Sequence, residues 1–248
     1  MFKHLFKKKN KTTSHEEAEL TEAEISHKTP IQSFDDLFEQ TAALAFEKQL
    51  NFAELIGSYS WEFDMTKGEI TFGKQLTFPV QIIGSVSFND NSWMWAWANT
   101  QSGMPDHLLV QAHELKKLGD QLNISELSDG HFGTDSGFEH IMGMVACGHF
   151  NTDGYYCANY GQGTLVVTLQ SDKIPQVDKK ALEKALTTFP QLISAVDINH
   201  KEAFKNYLID RKCKILMTDS EIKGRYGDKV ITASFDQIDR LVNLDGKV

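Results

Sequence analysis

S-W-M-W-A-W-A-N, from Ser92 to Asn99, places Trp93, Trp95 and Trp97 at every second position, with Met94, Ala96 and Ala98 between them. In an extended strand that spacing sends three indoles to one face. Each indole buries about 150–250 Å², an upper bound of roughly 4–6 kcal/mol per ring at about 25 cal/mol/Å². No other stretch concentrates so much burial, so it is read as the central strand of the fold.

Upstream of this stretch the residues alternate repeatedly. Tyr59, Trp61 and Phe63 form one alternating run, Ile70 and Phe72 a second, and Leu76 to Phe88 a third that contains Pro79 and Gly84. Thr66-Lys67-Gly68 and Asn89-Asp90-Asn91 read as turns between them. With the tryptophan strand they make a four-strand antiparallel meander. Pro79 suggests an edge or a bulge, and Gly84 a bend. A helix precedes the meander: Ser33 and Asp36 resemble a capping box, the apolar rhythm runs from Phe34 to Ile56, and Gly57 ends it.

Downstream, Pro105 opens a helix with its stripe on Leu108, Leu109, Ala112, Leu115 and Leu118, closed by Gly119. Asn123 to Thr134 reads as loop and Asp135 to His149 as helix. Tyr155–Tyr160 and Thr164–Gln170 form a later hairpin about Gly161-Gln162-Gly163. Beyond Pro175 two more helices, Lys179–Phe189 and Asn199–Arg211, lead to four short strands between Lys214 and Leu244. The fold class is α+β, an antiparallel sheet covered by helices, with a small C-terminal α+β block. Residues 1–30 read as a basic tail and an acidic linker without fixed structure, 31–172 as the core domain, and 178–248 as the block.

Residues 35–170 resemble an uncharacterised bacterial domain family through Trp61–Asp64, Gly68–Gly73, Trp93–Asn99 and the helix from Pro105. The resemblance implies a domain and transfers no activity.

The chain's net charge of −9 is unevenly spread. M-F-K-H-L-F-K-K-K-N-K, residues 1–11, is basic without an acid, and residues 12–30 are acidic, which leaves the body more acidic than the whole. Such a body argues against a nucleic-acid partner and suits a basic protein partner. Phe2, Leu5 and Phe6 among the lysines also allow membrane-surface contact, against the simpler reading of a solvated tail. Three unpatterned cysteines point to a reducing compartment. No apolar run has the length of a membrane span and the N-terminus lacks a signal-peptide centre, so the expected location is the cytoplasm.

No constellation of reactive residues stands out. Cys147, His149, Cys157, His131 and His140 have ligand chemistry but poor metal spacing. Gly130–Gly137 is glycine-rich without the lysine of a phosphate loop. Ser136 and His140, near Asp129 and Asp135, lack a nucleophile elbow. No catalytic residue, metal ligand or cofactor is assigned. Trp93, Trp95 and Trp97, with Asn99 and Tyr59 at the rim, are the candidate ligand-binding residues, weighed against their simple packing as core. The expected function is a non-enzymatic binding module of adaptor or immunity type, acting through its acidic surface. The alternative is a small-molecule binder or enzyme using a tryptophan-lined pocket.

Overall fold

The computed structural model describes residues 23–248, and the expectations for residues 1–22 fall outside them. The first element corrects the linker expected up to residue 30. Ala23–Ile25 is a short strand, β1, which pairs antiparallel with a strand of the C-terminal block through Ala23 and Met217. Lys28 then anchors the chain, its Nζ donating to Gln40 O at 2.6 Å and lying 2.8 Å from Asp210.

Helix α1, Phe34–Ile56, starts as its sequence dictates. Ser33 Oγ accepts the Asp36 N–H, and the Asp36 carboxylate accepts the Ser33 N–H. Two donors at the start of the helix, the Ser33 and Asp36 N–H groups, are thereby satisfied. Strands β2 (Trp61–Asp64), β3 (Glu69–Phe72), β4 (Leu76–Ser87) and β5 (Ser92–Trp95) follow as the antiparallel meander. Its centre is β4, the longest strand, rather than the tryptophan strand. β4 pairs with β3 through Leu76–Pro79 and with β5 through Gly84–Ser87. Pro79, which has no N–H to give, sits one residue outside the ladder of β4 with the later hairpin.

The tryptophan stretch is extended only to Trp95. There the N–H groups of Ala98 and Asn99 bond back to Trp95 O, turning the chain so that Trp97 leaves the strand. Gly84 is fixed by its neighbour: a Cβ there would sit 2.4 Å from the Trp93 ring.

A 3₁₀ turn at Asp106–Leu108 leads into α2, Val110–Leu122, which runs past Gly119 to a cap at Asn123 in the left-handed region. The expected loop 123–134 holds a helical turn, α3 (Ser125–Ser128), and a short strand, β6 (His131–Gly133), that pairs with β5. Helix α4 (Phe138–His149) and the hairpin β7 (Gly154–Asn159) and β8 (Gly163–Leu169) complete the region. β8 joins β4 from Val80 to Ser87 past a bulge between Ile82 and Gly84, which closes a seven-stranded sheet.

The C-terminal block comprises α5 (Leu182–Ala195), α6 (His200–Asp210), β9 (Lys214–Met217), β10 (Glu221–Tyr226), β11 (Lys229–Phe235) and β12 (Leu241–Lys247). With β1 they form a second antiparallel sheet in the order β1-β9-β10-β11-β12. Helix α1 packs against α4 on one side and against α5 and α6 on the other, so one helix serves both sheets. No helix among the described residues is long and apolar enough to cross a membrane.

Candidate functional site

Trp93 and Trp95 are fully buried, with ring centroids 5.5 Å apart and planes nearly perpendicular. Trp97 stacks on Trp95 at 6.3 Å, and Lys116 Nζ lies 5.2 Å from its ring centre. Phe138 of α4 closes the other side, 5.6 Å from Trp93. Trp95 Nε1 donates to Glu126 O at 3.0 Å. Asn99 precedes a 3₁₀ turn and its carbonyl accepts the Ser102 hydroxyl, while Tyr59 is 60% exposed against Gly73. The structure thus gathers the three indoles with phenylalanines. Four cavities among the described residues are lined entirely by other residues.

One of these cavities, of 490 Å³, opens where α1, the start of α4, β7 and the α5–α6 connection meet. Its body is apolar, formed by Phe46, Ile141, Met144 and Val196, and its polar groups are Asp135, Ser136, His140, Tyr155 and Asp197. Tyr155 comes in close because Gly143 faces it; a Cβ on Gly143 would lie 2.3 Å from the ring. Tyr155 is 2% exposed, and its hydroxyl makes no hydrogen bond among the described residues. Burial pushes its pKa well above the usual phenol range. His140 sits beside it, ring centroids 6.2 Å apart, with Nδ1 3.6 Å from Cys157 Sγ.

Burial, and then the charge of Glu139, hold the Cys157 thiol above its ordinary pKa. A thiol kept protonated is a poor nucleophile. Ser136 and His140 line the same cavity without a hydrogen bond between them, and the Ser136 and Tyr155 hydroxyls stand on its wall beside the carboxylates of Asp135 and Asp197.

A second concavity of 330 Å³ adjoins the first and shares Asp197 with it. Its walls are the start of α1, the start of α6 and the β11–β12 turn. Acidic groups dominate it: Asp35, Glu39, Asp197 and Asp239, against His200 and Arg240. Glu39 is pushed up to about 7, first by burial and then by the charges of Glu202, Asp36 and Asp35. His200 is held below its usual pKa by burial and Arg240, and its Nδ1 accepts the Leu241 N–H at 3.0 Å. Ile238, 72% exposed, stands at the rim.

Residues 35–172 match the model of a family of unknown function, DUF6882. The chain belongs to that family. No curated protein and no solved structure matches it. The DUF6882 region supplies three walls of the apolar cavity, through Phe46, Asp135–Met144 and Tyr155, whereas Ala195–Asp197 lie outside it. The site is therefore completed by the C-terminal block.

What holds the block against the DUF6882 region is a buried polar network. Glu47 of α1 accepts from both the Tyr207 hydroxyl and Arg211, and Arg211 also donates to the carbonyls of Asp178 and Ala181 at 3.2 and 3.1 Å. Arg211 and Tyr207 are essentially inaccessible. A desolvated charge survives only when paired in this way.

The other residues singled out in the sequence are scattered. Cys147 is buried, its Sγ 3.4 Å from Thr152 O, His131 is exposed on β6, and only His140 and Cys157 meet. Among the described residues no group of three or more side chains has a metal-holding arrangement. Tyr155, Asp197, Glu39 and the Glu47–Tyr207–Arg211 network were missed. Only the acidic balance of the body hinted at the groove, since these residues meet through the fold and not through spacing.

Proposed function

We propose that this protein is a non-catalytic binding module for a basic protein segment. The segment places an apolar side chain in the cavity beside Tyr155 and Met144 and lays its cationic neighbours along the groove of Asp35, Glu39, Asp197 and Asp239. The observation that carries this reading is the sharing of Asp197 by an apolar cavity and an acidic groove. An apolar pocket with a charged rim is how interfaces seat an anchor residue and fix its register. The Tyr155 phenol on the cavity wall is kept protonated by burial and offers a hydrogen-bond donor to a bound segment. A free small molecule is the second reading, favoured by a volume within the usual range of ligand pockets.

The test is a titration of the full chain with a short fluorescent peptide alternating Lys and Phe. Binding should weaken about tenfold in Ala195→Trp, which fills the cavity from its exposed rim, and in Asp197→Asn, and it should fall steeply with salt. Binding that ignores both substitutions and salt would overturn the reading.

A further inference from the structure

Resting on that reading, we infer that the chain's own residues 2–11 are a segment that fills this cavity and groove, so that the protein competes with its external ligand. The segment has the required chemistry: F-K-H-L-F-K-K-K-N-K puts its apolar residues ahead of a lysine run.

The chain's path puts it in reach. Ala23 pairs with Met217, and two residues beyond Met217 the Asp219 carbonyl accepts from Lys201 Nζ at 2.6 Å. Asp239, on the groove, lies 3.4 Å from that same Nζ. The chain therefore enters the described fold beside the Asp239 end of the groove. Residues 12–22 bridge from there to the lysines. Eleven residues reach at most about 36–40 Å.

Order agrees with charge. Going back along the chain from Ala23, the lysine run comes first and the apolar residues after it. Going across the surface from Asp239, the acidic groove comes first and the apolar cavity lies beyond Asp197. Glu16, Glu17, Glu19 and Glu22 of the connecting stretch are repelled by the same groove and do not compete for it. A tether of this length gives an effective concentration of about millimolar, so a contact weak in the free peptide is populated in the chain.

The experiment uses the dilute full chain and a carbodiimide that joins an amine directly to a carboxylate, with the links mapped by mass spectrometry. Lys7, Lys8, Lys9 and Lys11 should link within one chain to Asp239, Asp197, Glu39 or Asp35, and about 1 M salt should abolish the links. In parallel, the triple variant Lys7→Gln, Lys8→Gln, Lys9→Gln should bind the free Lys/Phe peptide several-fold more tightly than the parent chain. Links to carboxylates elsewhere, with equal peptide affinity for parent and variant, would overturn the tail's role and leave the binding reading standing. Failure of the peptide to bind either chain would remove the binding reading itself.

Discussion

Helix α4 touches two regions that solve opposite problems. At its first turn Phe138 meets Trp93 and Phe132, and the space between helix and sheet is filled ring against ring. Around the helix, His140, Ile141 and Met144 face a hollow that Phe46, Tyr155 and Val196 do not close. The filled side takes its three indoles from one five-residue stretch and closes them with Phe132 and Phe138. The open side needs four separate segments. A packed core follows from local composition, whereas an unfilled seam depends on how two packed units are set against each other.

The largest expected effect is on the filled side. Trp95→Ala removes a fully buried ring and its hydrogen bond to Glu126 O, and should cost about 3–5 kcal/mol in urea unfolding. A loss under about 1 kcal/mol would mean that the cluster is not packed as described. Glu47→Leu probes the setting of the two units. It strands Arg211 without its anion, so a destabilisation of about 3–5 kcal/mol is expected. The double change Glu47→Leu with Arg211→Met should recover much of that loss, because no unpaired charge remains; additive losses would contradict the pairing.

A smaller effect comes from pH. Glu39 holds its proton in the folded state to about 7, against an ordinary value of 4.5. Between those values the folded state binds more protons than the unfolded one, so this group's contribution to stability falls as pH rises. Glu39→Gln should therefore lose less melting temperature than the parent between acidic and alkaline buffer, read by circular dichroism. Smallest of all, Tyr155→Phe removes a hydroxyl with no partner among the described residues and should change stability by under about 0.5 kcal/mol, while altering peptide affinity. A large stability loss would show that the hydroxyl is engaged and the hollow is not open.

Much of the fold could be read from the chain. The Ser33–Asp36 cap, the alternation from Trp61 to Phe88 and the hairpin at Gly161 each rest on neighbours within a few residues, and each formed as expected. Boundaries shifted where backbone bonds outside the pattern won. Trp97 left its strand because Ala98 and Asn99 bonded back to Trp95 O, and β1 formed because an edge of the C-terminal sheet was free to accept Ala23–Ile25. The candidate site was far less legible. Tyr155 looked like one aromatic of a hairpin and Asp197 like one acid of a connection. Their meeting depends on the Glu47–Arg211 contact across 164 positions, which no local spacing encodes.

The most direct test of the contrast between a filled and an open side is a nuclear magnetic resonance titration of the full chain with the Lys/Phe peptide, following methionine methyls and indole N–H groups together. The Met144 methyl should shift progressively while the Trp93 and Trp95 indole signals stay in place. Shifts at those two indoles with Met144 unmoved would contradict it.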